Sequence, residues 1–329
     1  TPALGHSVHV DVSGLRPDTW YAYRFRAGGR TSAVGRTRTF PVADASPRSL
    51  RFVFASCQDY QWGHYGAWAH VAREQDLDAV VFLGDYIYEL NLGDLSPTRT
   101  GARVWAGPPP ESLEDYRRRY AQTKSDPQLQ AAHEVAPWLV TWDDHVGQDD
   151  IDVPASRDRR LAAYQAWYEH TPVRIEPEPV DFEQLDIHRG FTFGDLATFW
   201  VIETRQHADA PACRSDGSLV SDEGPACEAL EDPARSNLGQ DQERWLVEGL
   251  SDSTTTWNLL ANPIMLAGLN LGTPDEPLIT RDAWVGYPET RRRVLAAVQE
   301  SNVSNPVVVT GDWHASFVLD VAEEPGGPT

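Results

Sequence analysis

Four short apolar runs, each ending in polar side chains, constrain the fold of this 329-residue chain more than any other feature. They occupy residues 50–57 (LRFVFASC), 78–89 (DAVVFLGDYIYE), 138–145 (WLVTWDDH) and 306–314 (PVVVTGDWH). Runs of this length and composition are typical of strands that are buried on both faces of a parallel sheet. Because ligands bind at the carboxyl ends of such strands, the four polar ends are predicted to meet in one site.

The spacing of these runs predicts an α/β domain over residues 47–329. Helical periodicity at about 65–75 follows the first run and makes a strand–helix–strand unit with residues 78–83. Further helices are expected at 112–124, 127–135, 157–170, 241–248 and 289–300, and further strands at 191–204 (a hairpin) and 257–261. Ser112 is predicted to start its helix with a capping box, and Gly249 to stop the helix that precedes it.

Residues 1–46 show a different pattern and are predicted to form a small N-terminal all-β domain. Polar and apolar residues alternate with the period of half-buried strands at 6–12, 20–26 and 34–40. This segment resembles the last strands of a fibronectin-type or immunoglobulin-like sandwich, although it is too short to be a whole one. A linker at 43–48, rich in Pro, Ser and Asp, leads into the α/β domain.

The charge balance limits the classes of ligand. Lysine and arginine total 28 against 49 aspartates and glutamates, which gives a formal net charge of −21. Such a charge repels nucleic acids and anionic lipid surfaces, so a phosphorylated substrate would need bound cations to be held. No apolar run approaches the roughly 18 residues of a membrane span, and no leader pattern stands at the N-terminus.

The three cysteines fall into two groups. Cys213 and Cys227 lie in one loop rich in Pro, Gly, Asp and Ser, whereas Cys57 stands alone at a strand end. A loop pair of this kind predicts a disulfide and therefore an exported, extracellular protein. The alternative is two unpaired surface thiols, because connectivity cannot be read from a sequence.

The residues after the second run have the chemistry of metal ligands. Asp85 has two oxygens with which to bridge cations, and Tyr88 can supply a phenolate to a strong Lewis acid such as ferric iron. Taken alone, Tyr86 and Tyr88 are better explained as packing residues and Asp85 as a cap.

The ends of two other runs favour the metal site. Asp143 and Asp144 are adjacent carboxylates that suppress each other's ionisation unless a cation or hydrogen bonds neutralise them. His145 can ligate a metal or donate a proton to a leaving oxygen. Asp312 and His314 stand two residues apart and face the same way if the strand continues. A cap or a surface histidine explains each piece separately, but the pieces together predict a metal centre.

These strand ends resemble those of the PhoD-like alkaline phosphatase/phosphodiesterase family, which is related to the calcineurin-like metallophosphoesterases and the purple acid phosphatases. The shared motifs are ASC at 55–57, GDYIYE at 84–89, TWDDH at 141–145 and GDWH at 311–314, with further likeness at 114–120, 163–170, 204–206, 238–246, 282–284 and 286–288. The resemblance covers nearly the whole chain. It implies a metallophosphoesterase-type αββα sandwich.

The resemblance also implies the ligands and the reaction. Fe³⁺ would be held by Cys57, Asp85, Tyr88 and His314, and one or two Ca²⁺ ions by Asp85, Asp144 and Asp312. A hydroxide activated by these metals would attack phosphorus in line, with His145 as the acid for the departing alkoxide. Arg205 would hold a phosphoryl oxygen, and the alternative for it is a surface ion pair.

The function so implied is that of a secreted, monomeric phosphoesterase that scavenges phosphate. Its substrates would be small-molecule or polymeric phosphodiesters, with monoesters as the less favoured alternative. Nucleotides, teichoic-acid-like polymers and phospholipid head groups are the candidate sources. One rival is a phospholipase D-like hydrolase, for which Trp62, Trp105 and Trp284 would supply an apolar approach. For any single one of them, packing in the core or on the surface is the favoured alternative. The other rival is a catalytically silent domain that binds carbohydrate or surfaces.

Two features depart from the family's pattern. Val146 follows the Asp-Asp-His motif where the family usually has a glutamate, so one calcium position would be weakened or lost, or supplied by Asp149 or Asp150. The chain also ends at Thr329, soon after the last motif. Family members usually continue with further strands and a terminal helix that can cover the active site. An open active site, a natural short form or an incomplete chain would each explain the difference.

Overall fold

Two β-sheets that face each other form the centre of the molecule, which a computed structural model describes over residues 2–92, 101–147, 156–175, 180–212, 223–273, 276 and 278–322. The α-helices described are α1 (Gly66–Val71), α2 (Leu113–Lys124), α3 (Pro127–His133), α4 (Arg157–His170), α5 (Gln240–Asp252) and α6 (Pro288–Glu300). The strands described are β1 (Trp20–Tyr23), β2 (Arg26–Ala27), β3 (Arg30–Thr31), β4 (Gly35–Arg38), β5 (Phe52–Ala55), β6 (Ala79–Phe82), β7 (Trp138–Val140), β8 (Arg189–Phe193), β9 (Ala197–Val201), β10 (Glu223–Gly224), β11 (Trp257–Asn262), β12 (Ile279–Thr280) and β13 (Pro306–Thr310).

The four predicted runs supply strands to both sheets. The first sheet contains β5, β6 and β7 in that order, and its neighbouring strands run parallel. Its central strand, β6, is buried along its whole length, as expected for a continuous apolar run. The second sheet has the order β13-β11-β9-β8, in which β8 runs antiparallel to β9 and the other pairs are parallel.

Helices cover the outer face of each sheet. Between the sheets lies an apolar cluster that includes Val81 and Phe199. Behind the first sheet a second cluster includes Trp167 of α4, and behind the second sheet a third includes Leu246 and Val294 of α5 and α6. Each fully buried side chain of this kind contributes about 1.5–3 kcal/mol to the free energy of unfolding. The layers are therefore helix, sheet, sheet, helix.

Most predicted helices are confirmed, but some predicted ends are wrong. Helix α1 ends at Val71, before the predicted end at about 75. The Asp115 amide donates to the side chain of Ser112, and the Asp115 carboxylate accepts from the Ser112 amide, so the capping box of α2 is confirmed. Helix α5 does not stop at Gly249 but continues to Asp252. A Cβ on Gly249 would lie 2.4 Å from the Trp200 ring, so this glycine lets the helix approach the second sheet. None of the described helices is both long and apolar enough to cross a membrane.

The N-terminal segment contains less sheet than predicted. β1 pairs with β4 and β2 with β3, all antiparallel, but residues 6–12, although described, form no strand. Instead, the His9 ring stacks on that of Tyr168, and its nitrogens lie 2.9 and 3.0 Å from the carbonyl oxygens of Val173 and Tyr168. Alternation alone provides no partner strand, so the segment follows the end of α4. The sandwich relationship and the domain boundary at residue 46 stay predictions.

Candidate metal centre

The carboxyl ends of β5 and β6 lie side by side and bring two predicted ligands together. The Cys57 amide donates to the Gly84 carbonyl, and the Gln58 amide donates to the Asp85 carbonyl, both at 3.1 Å. Gly84 has a φ of +128°, and a Cβ there would lie 2.5 Å from the Cβ of Asp143. Glycine is therefore required where the end of β6 approaches the end of β7.

The end of β13 brings the second sheet to the same place. The Gly311 amide donates to the Pro263 carbonyl at 2.9 Å, directly after β11. A Cβ on Gly311 would lie 2.7 Å from the Cβ of Ser56 in the first sheet. The residues that follow, Asp312 and His314, are thus delivered to the cleft between the sheets.

Three overlapping groups of donor atoms, here called the donor cluster, occupy this cleft. They are Cys57–Asp85–His314, Asp85–Asp144–His145 and Asp143–Asp144–Asp312. Within each group the ligand atoms lie within 4.8 Å of one another. Asp85 belongs to the first two groups and Asp144 to the last two. Because each carboxylate has two oxygens, these shared residues can bridge neighbouring cations.

Four of the donors have an unusual backbone conformation. Cys57, Asp85, Asp312 and His314 have φ values of 55°, 56°, 69° and 51°, a left-handed region that residues other than glycine rarely adopt. Each such residue costs on the order of 1 kcal/mol, which the surrounding packing has to offset. Strain of this kind concentrates at functional sites.

The two tyrosines after Asp85 have different surroundings. The Tyr88 hydroxyl donates to Asp85 Oδ2 at 3.1 Å and lies 2.9 Å from His314 Nε2. The Tyr86 hydroxyl instead lies 2.8 Å from His133 Nε2, on the helix side of the first sheet. The packing interpretation therefore describes Tyr86, whereas Tyr88 faces the donor cluster.

Three carboxylate oxygens of the donor cluster lack hydrogen-bond partners. Asp85 Oδ1, Asp143 Oδ2 and Asp144 Oδ1 are buried and have no hydrogen-bond partner among the described residues. Burial, reinforced by the charge of Asp144, raises the pKa of both Asp85 and Asp312 to about 7. Buried, unpaired and mutually repulsive oxygens fit cations, because a cation supplies both the missing partner and the opposite charge.

The Cys57 thiol in the donor cluster and the Tyr88 phenol that faces it point to a strong Lewis acid as their metal. Burial, reinforced by the charge of Asp85, raises the pKa of Cys57 and that of Tyr88 above their ordinary values. Both groups would therefore keep their protons near neutral pH in the absence of a cation. Their conversion to thiolate and phenolate ligands needs an ion that withdraws charge strongly.

Arg205 is buried beside the donor cluster, so the interpretation as a surface ion pair is wrong. Its side chain is 3% exposed, its Nε donates to Asp143, and its Nη1 donates to Asp282 at 2.5 Å. Burial alone would lower its pKa, but the charges of Asp143 and Asp282 raise it. Its Nη2 has no hydrogen-bond partner among the described residues and is the donor left for an anion.

His145 lies among carboxylates. Its Nδ1 is 2.7 Å from Glu89 Oε2, and the other oxygen of Glu89 accepts from the Gly147 amide at 3.0 Å. Burial alone would lower the pKa of His145, but the charges of Asp144 and Asp85 and the bond to Glu89 raise it well above its ordinary value. These negative charges favour the protonated form of the imidazole.

The structure adds Glu89, Asp143 and Asp282 to the residues that the sequence predicts for the site. Asp143 contributes to the third donor group and pairs with Arg205, Asp282 pairs with Arg205, and Glu89 contacts His145. Each lies in a motif shared with the PhoD-like family, and this shared motif was the signal in the sequence that could have identified it as a site residue. Their partners could not be inferred, because they lie 56 to 77 positions away along the chain.

The departures from the family's pattern are only partly visible. Val146 is 2% exposed and packs in the apolar cluster behind the first sheet, so it provides no ligand. Asp149 and Asp150, the candidate replacements, lie outside the described residues. Cys213 also lies outside them, so its disulfide with Cys227 stays a prediction.

A groove of about 1060 Å³, lined by both polar and apolar side chains, opens beside the donor cluster, with Cys57 and His314 among its lining residues. Trp62 lines this groove and is 61% exposed, as an apolar approach requires. The same prediction is wrong for Trp105 and Trp284, which are 6% and 0% exposed. Both rings are used in packing, Trp284 in the apolar cluster behind the second sheet.

Comparison with known proteins agrees with this geometry. Residues 52–329 match the family model of the PhoD-like phosphatase, and residues 1–41 match that of the PhoD-like phosphatase N-terminal domain. The chain is 42% identical to alkaline phosphatase D of Bacillus subtilis (strain 168), with 97% of this chain and 55% of that protein covered. The chain thus spans about half the length of this relative.

Two solved structures show the same fold. One, described as the structure of PhoD, matches with a TM-score of 0.87 at 41% identity, covering 95% of this chain and 60% of the other. A purple acid phosphatase, PPD1 from yellow lupin seeds, matches with a TM-score of 0.52 at 13% identity over 90% of this chain and 44% of its own, a likeness of fold alone. On the match of residues 52–329 and the identity to alkaline phosphatase D, this chain belongs to the PhoD-like phosphatase family.

Proposed function

We propose that this chain carries the active site of an exported, metal-dependent phosphoesterase that prefers phosphodiesters and serves phosphate scavenging. The observation that carries the proposal is the row of three donor groups joined by Asp85 and Asp144. Such a row suits phosphoryl transfer, because adjacent cations stabilise the attacking and leaving oxygens together. The family supports ester hydrolysis, and the predicted pair of Cys213 and Cys227 supports export. The monomeric state stays a prediction.

The donor chemistry supports two kinds of metal. The thiol of Cys57, the phenol of Tyr88 and the imidazole of His314 would hold Fe³⁺, which accepts such ligands. The oxygens of Asp144 and Asp312 would hold Ca²⁺, which prefers carboxylates. Asp85, which belongs to the first two donor groups, would be shared between the Fe³⁺ ligands and the Ca²⁺ ligands.

The protein's own residues orient the substrate and move one proton. When bound in the donor cluster, the metals lower the pKa of water and neutralise phosphoryl oxygens. The Nη2 of Arg205 binds a phosphoryl oxygen through a charge-assisted hydrogen bond. His145 donates its proton to the departing alkoxide. Since Asp143 and Asp282 already neutralise Arg205, the side chains suit a singly charged diester better than a doubly charged monoester.

Hydrolysis of bis-p-nitrophenyl phosphate and p-nitrophenyl phosphate, together with elemental analysis, tests this proposal. Asp144→Asn is expected to lower kcat/KM for the diester at least about 100-fold, because it removes a shared ligand. Asp241→Asn, whose side chain is 94% exposed, is the matched control and should leave the rate unchanged. A metal chelator should abolish the activity, and calcium should restore it.

The proposal would have to be abandoned in either of two cases. The first is a metal-loaded protein that hydrolyses neither substrate. The second is an Asp144→Asn variant with the activity of the parent chain. Activity that survives chelation would remove the calcium assignment.

The groove supports a second candidate, a phospholipase D-like hydrolase. Apolar side chains such as Trp62 and Phe317 line it together with Cys57 and His314, so an acyl-bearing phosphodiester would place its head group at the donor cluster. Trp62→Ala should then slow hydrolysis of phosphatidylcholine vesicles and leave bis-p-nitrophenyl phosphate unaffected. If Trp62→Ala and the parent chain hydrolysed the vesicles at equal rates, the groove would have no role in binding phospholipid.

A further inference from the structure

Glu89 is a fully buried acid to which no catalytic or ligand role has been assigned above. Its exposure is 0%, and it lies four residues after Asp85 in the loop that follows β6. A carboxylate this deeply buried is costly unless its oxygens are hydrogen-bonded. Both oxygens have partners here: Oε2 lies 2.7 Å from His145 Nδ1, and Oε1 accepts from the Gly147 amide at 3.0 Å.

These contacts tie two loops of the donor cluster together. Glu89 belongs to the loop after β6, whereas His145 and Gly147 belong to the loop after β7. The backbone of Glu89 is held in turn, because Arg119 donates to its carbonyl oxygen at 2.9 Å. The acid is therefore anchored on α2 at one end and on the β7 loop at the other.

The same contacts determine which nitrogen of His145 faces the cleft. A carboxylate oxygen accepts, so the 2.7 Å contact places a hydrogen on Nδ1. One nitrogen of His145 falls within 4.8 Å of the carboxylate oxygens of Asp85 and Asp144. Since Glu89 occupies Nδ1, Nε2 is the nitrogen left for chemistry. The Tyr88 ring, 4.0 Å away between centroids, restricts rotation of the imidazole.

We propose that Glu89 is a positioning residue, which holds His145 with Nε2 directed at the leaving oxygen of the substrate. The inference rests on the proposed function, in which His145 donates the proton that the departing alkoxide needs. A histidine whose orientation is held by an acid in this way donates from one fixed point. Loss of the acid then leaves the metals in place but misdirects the proton.

The leaving group provides a readout that a merely structural role would not change. An alkoxide needs a proton to depart, whereas p-nitrophenolate departs readily without one. Glu89→Gln should therefore lower kcat about 10- to 100-fold for a diester with an alkyl leaving group, such as glycerophosphocholine. For bis-p-nitrophenyl phosphate the loss should be much smaller. Glu89→Asp, which retains the charge, should recover part of the alkyl activity.

Two comparisons separate positioning from stability. Glu169→Gln removes another buried carboxylate, on α4, whose side chain is 1% exposed and paired with Arg117 of α2. It should leave the ratio of the two activities unchanged. In a His145→Ala background, Glu89→Gln should have no further effect. Crystal structures should show the His145 ring displaced in Glu89→Gln, with the metal content unchanged.

Equal losses for both leaving groups, a loss that persists in the His145→Ala background, or an unmoved His145 ring would each overturn the proposal. If the parent chain hydrolysed no phosphoester at all, the proposed function would fail instead. The ring position in the Glu89→Gln crystal structure would still decide whether Glu89 positions His145.

Discussion

Arg205→Ala is expected to lower the free energy of unfolding by about 3–5 kcal/mol, because it leaves buried carboxylates without their cation. The Arg205 side chain is 3% exposed and the Asp143 side chain 1%, so water cannot replace the guanidinium. The ion pair of Arg205 with Asp282, whose side chain is 14% exposed, is lost at the same time. Arg205→Ala should also weaken substrate binding, because it removes the Nη2 group that is proposed to bind a phosphoryl oxygen.

A surface pair on α5 provides the scale for comparison. Arg244 Nη1 lies 3.2 Å from Asp241 Oδ1, but the two side chains are 61% and 94% exposed. Pairs of this kind contribute about 0–1 kcal/mol, because water screens both charges. Arg244→Ala should therefore lower the free energy of unfolding by at least about 2 kcal/mol less than Arg205→Ala does.

The destabilisation caused by Arg205→Ala should grow with pH. Burial raises the pKa of Asp143 well above its ordinary value even while Arg205 opposes the shift. Without the arginine, the carboxyl can bind a proton in acid and become neutral, whereas at alkaline pH it must stay charged or the fold must open. Urea unfolding of both variants at acidic and alkaline pH, with and without chelator, measures the difference. If the two arginine variants lost equal stability at every pH, the buried pairing would be refuted.

Three further predictions address the metals and the fold. Tyr88→Phe should abolish the visible absorption that a phenolate gives to ferric iron, and an unchanged spectrum would place the chromophore elsewhere. Burial and the charge of Asp144 raise the pKa of Asp85 and Asp312 from 3.8 to about 7, so the chelated protein should lose stability as the pH rises through that window. Added calcium should stabilise it increasingly over the same range. Thermal unfolding with chelator and with calcium measures both effects, and a chelated protein whose stability stayed constant across this range would refute the raised pKa of the two carboxyls. Ser112→Ala should cost about 1 kcal/mol through loss of the α2 capping box, and an unchanged unfolding curve would rule that contribution out.

Local patterns were sufficient for the strands of the two central sheets, for most helices and for the positions of the candidate ligands along the chain. The run at 78–83 becomes β6 because apolar side chains at every position suit a strand buried on both faces. The segment at 157–170 becomes α4 at the predicted bounds, with Ser156 accepting from the Arg159 amide at its start. In both cases the forces that decide the element act between residues close in sequence.

Local patterns misled where the deciding contact was distant. Alternation at 6–12 resembles a strand, but the segment is held by His9 against the end of α4. Gly249 resembles a helix stop, but its missing side chain makes room for Trp200 of the second sheet. Neither partner can be identified from neighbouring residues.

The sequence by itself determined the types of candidate ligand and their places at strand ends, since an apolar run followed by acids, a cysteine or a histidine is a local feature. Only the tertiary structure decided how those ligands are grouped. It brought Cys57 and Asp85 from the first sheet to His314 from the second, and it paired Glu89 with His145 across 56 positions of chain. The physical reason is that the grouping of these residues depends on how the two sheets pack against each other. That packing rests on contacts between residues far apart in sequence, which the local periodicity of a sequence does not predict.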